Sequence, residues 1–570
     1  MAEAKPLDLV ILWHMHQPDY RDHSTGEFTQ PWVYLHAIKD YADMAAHLED
    51  HPRMRAVVNL VPVLLDQLED YAGQFAAGTV RDPLLRLLMR DEATPLSAEE
   101  RRLAIECCLR ANHSTMVAPY PFYSALHAVY RTVVEQGMQG VGYLADRYFF
   151  DLVTWYHLVW IGETVRRASE LVPRLMARGA GFSRADRLAL FDLIAQTVSG
   201  VTGRYSRLAA DGRVELSSTP HTHPLAPLLI DFGAALEAMP AAPLPQSPAF
   251  PGGMGRVQAQ IASALESHER RFSARPAGLW PAEGAISAAL LKLFAQAGAR
   301  WTASGERVLA NCLRGDEHEV TAREQYLYRP YVADGEHVVV FFRDDGLSDR
   351  IGFEYAGWHS RDAALNFVGE LERIADQAPE GDTPVVSVIL DGENCWEYYP
   401  YNGYYFLDTL YSALDDHPRI RTTTFRAYLD EYPPPDRSHA RRGQIKHLAA
   451  GSWVYGDFST WIGSAQKNHA WDLLCAAKET FDLVMASGRL AEAPGADAVR
   501  QLALCESSDW FWWMGDNNPA ETVATFDRLF RANLKRLYGL LNVPPPAALD
   551  EPISHGGGHP EAGGTMRRAG

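Results

Sequence analysis

The sequence predicts an α/β protein, a TIM-like barrel of seven strands with a helical insertion and a C-terminal helical domain. Three observations lead there. Seven short apolar, β-branched runs recur, each stopping at polar, Gly or Pro residues. Helix-period stretches such as Ser287–Ala297 and Ala363–Ala375 separate most of them, the alternation that builds a parallel sheet. Chemically loaded residues fall at the C-terminal ends of the runs, the rim where barrels of this type carry their sites.

The first run, Leu9–His14, leads into Met15-His16-Gln17-Pro18. The second is Ala56–Leu60. From about residue 66 to 200 no strand pattern occurs, and stretches such as Tyr148–Arg167 and Ala185–Val198 read as amphipathic helices of an insertion. The third run, Val214–Ser218, continues into Thr219-Pro220-His221-Thr222-His223-Pro224. The fourth, Ala277–Trp280, ends in Pro281-Ala282-Glu283-Gly284, and the fifth is Arg300–Ala303. The sixth, His337–Phe342, ends in Arg343-Asp344-Asp345, and the seventh, Val385–Leu390, ends in Asp391-Gly392-Glu393-Asn394. These runs assign residues 1–400 to the barrel with its insertion. Helical patterns at Leu473–Ala486 and Ala520–Leu541 assign 401–543 to a second domain. The Pro/Gly/Ala-rich stretch 544–570 is expected to be a tail without order.

Apolar residues make up 47% of the 570, enough for a large core. Seventy-two acidic against 53 basic residues give a net charge of -19, which repels a phosphate backbone and argues against nucleic acid as a partner. No run is long enough for a signal peptide or a membrane span; Leu9–Trp13 is far too short. The six cysteines form no CxxC pair and resemble neither a disulfide framework nor a zinc site, so a reducing, cytoplasmic setting is expected. No cofactor and no bound metal are expected.

Two carboxylates stand out. Glycoside hydrolysis needs one carboxyl group to protonate the leaving oxygen and a second to attack the anomeric carbon or activate water. Glu283 and Asp391 each follow an apolar strand and are flanked by Gly and aromatics, which suits a cleft. Either one alone reads first as a surface or salt-bridged acid. His14 and His16 alternate on one strand and so share a face, as core histidines or as partners of sugar hydroxyls. His221 and His223 read as a loop pair, as sugar contacts, or more remotely as a metal pair. Asp344 and Asp349, near Arg343, read as a charge network under the site or as surface groups. Aromatics are 11% of the chain, with 14 Trp. Trp453, Trp461, Trp510, Trp512 and Trp513 divide between core packing and sugar stacking, and the tyrosines after Asp391, from Tyr398 to Tyr405, divide likewise.

With these residues in view, the chain resembles glycoside hydrolase family 57, in particular its amylopullulanase-like and α-amylase-like members. Five ordered motifs carry the resemblance, over roughly residues 7 to 540. They are His16-Gln17-Pro18, the segment Glu215 to Pro224, Gly278-Leu279-Trp280-Pro281-Ala282-Glu283, the segment Leu390 to Glu397, and Ser508 to Asp516. The resemblance implies a (β/α)7 barrel with a helical domain and a retaining double displacement. It implies Glu283 as nucleophile and Asp391 as acid/base, acting on an α-glucan or maltooligosaccharide. It also points to His14, His16, Gln17, His223, Trp280, Glu393, Trp396, Trp453, Asp509 and Trp510 as substrate contacts. Asp391 then needs a raised pKa, to which Glu393 is expected to contribute. Two positions depart from the pattern: Ala282 where Ser is expected, and Gly305 where Asp is expected. The rival readings are a 4-α-glucanotransferase or branching-type enzyme with the same pair, a metal-dependent hydrolase or deacetylase, and a silent glucan-binding protein. Bond preference and oligomeric state stay open.

Overall fold

The computed structural model describes residues 5–135, 137–315, 323–333, 335, 337–379, 382–433 and 442–558. Its strands, numbered in chain order, are β1 (Leu7–Met15), β2 (Ala56–Leu60), β3 (Val214–Ser217), β4 (Trp301–Gly305), β5 (Tyr331–Ala333), β6 (Val339–Arg343), β7 (Val385–Asp391), β8 (Ile420–Thr422) and β9 (Gly443–Ile445). The parallel order β3-β2-β1-β7-β6 extends from β6 to β4. The fourth expected strand closes the ring. Within Ala277–Trp280 only Gly278 and Leu279 make parallel bridges, to Trp301 of β4 and to Ser218 just beyond β3. Leu279 N–H donates to the Trp301 carbonyl (3.1 Å) and Trp280 N–H to that of Ser218 (3.0 Å). Gly278 is required there, because a Cβ would collide with the Trp301 indole.

The burial of every β1 and β2 residue suits parallel strands covered on both faces. Alternation sorts their side chains. Val10, Leu12, Val57, Trp301, Ala303, Val339, Phe341, Val385 and Ile389 fill the barrel interior. Leu9, Ile11, Trp13, Val58, Val340, Phe342, Val386 and Val388 pack outward against the helical layer. The same parity carries His14, Asn59, Arg343 and Asp391 inward at the upper rim, above an apolar barrel floor. That positions the site.

The chain does not leave the barrel at residue 400, as the expected boundary had it. β8 pairs in parallel with the lower end of β1. The helix Phe425–Glu431, N-capped by the Thr424 hydroxyl, plugs the barrel bottom, with Phe425 4.5 Å from the Trp301 ring and 4.4 Å from that of Phe341. Three-residue strands such as β8 carry no periodic signal, so the return was not legible.

Between β2 and β3 the described chain, Pro62 to Ala210, is helical with no strand. It ends in the 27-residue helix Arg184–Ala210, started by a Ser183/Asp186 capping box. After β9 come the helices Ala465–Ala486, Glu492–Cys505, Asp509–Trp513 and Ala520–Leu540.

The expectation of an unordered tail from Pro544 is corrected through Gly558. Leu549 and Ile553 are buried, Ile553 N–H donates to Asp527 Oδ1 (2.7 Å), and the Gly557 and Gly558 N–H groups donate to the Asn518 carbonyl (both 3.1 Å). Composition alone missed two apolar anchors inside a polar run; residues 559–570 lie outside the described part. All six cysteines are free thiols. No helix among the described residues is long and apolar enough to cross a membrane.

Candidate active site

A cleft of about 980 Å³, counted to its open mouth, lies at the upper rim of the barrel where the C-terminal helices meet it. Glu283 and Asp391 both line it, from the fourth and seventh strands.

Asp391 ends β7 pointing inward to the cleft and is half-buried. Burial disfavours its charged form and raises its pKa from 3.8 to about 6; the Asn394 amide, which donates to Oδ2 at 2.8 Å, and the nearby His16 and Arg343 hold it back from rising further. Glu393 does not contribute to that rise, contrary to expectation. The effect runs the other way: burial, and then the charge of Asp391, push Glu393 well above the carboxylate range. A neutral Glu393 accepts at Oε1 from the His16 backbone N–H (3.2 Å) and Gln17 Nε2 (3.3 Å), which ties the Asp391 loop to the His-Gln-Pro turn.

Glu283 sits in the left-handed region at φ 60°, ψ 24°, rare for a residue with a side chain and costing about 1–3 kcal/mol. The Gly451–Trp453 segment holds it there. Ser452 Oγ and Trp453 N–H donate to the Glu283 carbonyl (2.8 and 3.2 Å), and Trp453 Nε1 donates to carboxylate Oε2 (3.3 Å). Gly305 explains itself here: a Cβ would lie 2.6 Å from the Trp453 Cα, so no Asp fits while Trp453 reaches Glu283. Ala282, at the other departure, is buried.

Arg343 spans the two sides. Its Nε donates to the Ile389 carbonyl (2.8 Å), its guanidinium pairs with Asp345 (2.6 Å) and Asp349 (2.9 Å), and its Cζ lies 5.5 Å from the Trp453 ring centroid. Asp349 thus belongs to the network beneath the cleft. Asp344 is turned away to Arg323 and Tyr328.

The third side is a histidine stack. His16 and His223 lie ring on ring at 3.8 Å, and His16 Nε2 donates to both oxygens of Asp509 (3.0 and 2.9 Å). Asn59 Nδ2 donates to Ser217 Oγ, which leaves Asn59 Oδ1 as acceptor and puts the His14 proton on Nδ1, at 2.7 Å. His14 Nε2 is then an acceptor for His223 Nε2–H (3.1 Å), and His223 Nδ1 accepts from Ser508 Oγ (2.9 Å). Burial, then repulsion from His16, lowers the pKa of His14 to about 3 and that of His223 well below the imidazole value, so both are neutral donors and acceptors. His223, like Glu283, has φ 60°.

Of the residues expected to contact substrate, His14, His16, Gln17, His223, Glu393, Trp453 and Asp509 line the cleft, and Trp280, Trp396 and Trp510 do not. Trp280 lies fully buried beneath it, 5.2 Å from the Trp453 ring. Trp396 donates Nε1 to the Gly392 carbonyl (3.0 Å) and packs on Trp13; Trp510 bonds the Leu504 carbonyl and packs on Phe530. Trp512 and Trp513 line the cleft instead. His221 turns outward to Asp66 (2.8 Å), away from His223. Arg343, Asn59 and Tyr20 were missed as site residues. For Arg343 and Asn59 a signal existed: each shares inward parity with Val339 and Phe341, or with Val57.

The profile of glycosyl hydrolase family 57 matches residues 10–441. The chain belongs to glycosyl hydrolase family 57. Solved structures of similar fold include a family 57 branching enzyme from Thermococcus kodakaraensis (TM-score 0.58, 17% identity, covering 94% of this chain and 90% of that one). A branching enzyme of the same type from Pyrococcus horikoshii has TM-score 0.56 and 16% identity, over 99% of both chains. An α-amylase from Thermotoga maritima has TM-score 0.55 and 13% identity, over 94% and 93%. At these identities the likeness is one of fold. No curated protein sequence is a significant match. Family 57 membership makes the chain an enzyme of the glycosyl hydrolase class on the (β/α)7 barrel. It leaves the residue roles to the geometry.

Proposed function

We propose that the chain is a retaining α-glucan hydrolase acting on α-1,4 bonds, and on α-1,6 bonds as far as the cleft admits the branch. The observation that carries this reading is one cleft lined by two carboxyl groups, Glu283 and Asp391, from the fourth and seventh strands. Asp391 is a half-buried acid whose pKa is raised to about 6, and Glu283 accepts an indole N–H from Trp453 on Oε2. In the first step Glu283 attacks the anomeric carbon, and Asp391 gives its proton to the departing glycosidic oxygen. In the second, Asp391 takes a proton from the incoming water, which releases the sugar from Glu283 with its α configuration kept. Asp509, His16 and His223 offer donors and acceptors to the hydroxyls of the reacting ring, and Trp453, Trp512 and Trp513 supply apolar faces for neighbouring rings.

Those apolar walls also favour a second reading, glucan transfer, because they limit water near the glycosyl-enzyme. Maltooligosaccharides of defined length separate the two. New reducing ends in step with bond cleavage support hydrolysis. Redistributed lengths with a constant count of reducing ends support transfer, and neither outcome in the presence of intact protein contradicts both.

A further inference from the structure

We propose that His16, His223 and Asp509 form a site for one divalent transition-metal ion of the zinc class, and that the ion blocks the cleft. Each residue offers one ligand atom, and these atoms lie within 4.8 Å of one another. Four-coordinate zinc holds nitrogen and oxygen ligands at roughly 2.0–2.2 Å, so small side-chain rotations bring the three onto one ion and leave a fourth position open to the cleft. Two imidazoles with one carboxylate select zinc-like cations; calcium and magnesium take oxygen ligands.

The surroundings support the assignment. Ser508 Oγ meets His223 Nδ1 at 2.9 Å, and its hydroxyl can donate or accept, so His223 can turn a bare Nε2 to a metal. Ser507 Oγ donates to Asp509 Oδ2 (2.5 Å). Metal ligands are oriented by such outer partners. The His16 side chain is 9% exposed and its Nδ1 is buried without a hydrogen-bond partner, so its proton can move there when Nε2 turns to a metal. The remote alternative of a metal pair along the loop, His221 with His223, gives way to a pairing of His16 with His223 across the barrel mouth.

The blocking role rests on the glucan reading above, whereas the metal binding does not. The full chain, stripped with chelator, is titrated with Zn²⁺ by calorimetry. One ion per chain is expected, with binding weakened at least about tenfold in His223→Gln and in Asp509→Asn. Circular dichroism and the melting midpoint identify any variant that fails to fold, and the other then decides. No stoichiometric binding, or binding that the folded variants retain, overturns the site. On maltooligosaccharides, Zn²⁺ is expected to stop turnover and chelator to restore it. Turnover that depends on Zn²⁺ overturns the blocking role. Stoichiometric binding without turnover under any condition counts against the proposed function alone.

Discussion

Asp391 and Glu283 share one cleft but are held there by different means. Asp391 sits at the end of a regular strand with ordinary extended geometry, and its cost is electrostatic: a half-buried carboxyl group whose charged form is disfavoured by desolvation and held by the Asn394 amide. Glu283 is half-buried and meets an indole N–H, and its cost is conformational: a left-handed backbone held by Ser452 and Trp453. One functional group, the carboxyl, is thereby set up for two tasks. Desolvation raises the pKa of the proposed acid, and a clamped turn aims the proposed nucleophile.

The largest effects break the pair chemically. Glu283→Gln is expected to lower kcat by about 10³-fold or more while glucan binding persists, read by steady-state assay and calorimetry. A kcat within tenfold of the parent removes Glu283 from the nucleophile role. Asp391→Asn is expected to cost about 10²–10⁴-fold on maltooligosaccharides and much less on an aryl glycoside whose leaving group needs no proton. Equal losses on both substrates contradict the acid assignment.

The next effect separates the two costs by stability. The Asp391 pKa is raised from 3.8 to about 6 on folding, so the native state binds the proton more tightly. Stability tied to this group is therefore full below pH 4 and falls as pH rises through 6, by up to about 3 kcal/mol. Asp391→Asn should raise the unfolding free energy at pH 8 by a sizeable part of that and change it little at pH 4. The same gain at both pH values would locate the cost outside titration. Glu283→Gly, which frees the turn, should stabilise by about 1 kcal/mol. A destabilised Glu283→Gly would mean that side-chain contacts outweigh the strain.

The smallest expected effect is a null. Glu393 is neutral beside Asp391, so Glu393→Gln should leave the basic limb of the kcat/KM profile in place. Asn394→Ala, which removes a hydrogen bond to the carboxylate, should move that limb to higher pH. A basic limb that moves with Glu393→Gln would restore the role first expected of Glu393.

The contrast between the two acids also marks what the residues alone could tell. The barrel was legible because a parallel strand buried on both faces must be apolar throughout, and the run Leu9–His14 says so directly. The strand ends then named Glu283, Asp391 and His14 without coordinates. Exposure of aromatics was not legible. Trp510 and Trp512 are two positions apart on a five-residue helix, and which faces the cleft depends on how that helix docks against Phe526 and Phe530. Trp396 looked like a sugar platform and is a strut under the Asp391 loop. The left-handed turn at Glu283 also left no mark, because its support comes from Ser452 and Trp453, about 170 residues away.

The central claim is that Glu283 bears the sugar midway through turnover. The most direct measurement is to trap that intermediate with a slowly released fluorinated maltosyl donor, digest the protein, and map the added mass by tandem spectrometry. A single glycosyl adduct on Glu283 is expected, lost in Glu283→Gln and hydrolysed slowly when Asp391 is replaced by Asn. An adduct on another side chain, or turnover of the donor with inversion of the anomeric centre, would contradict it.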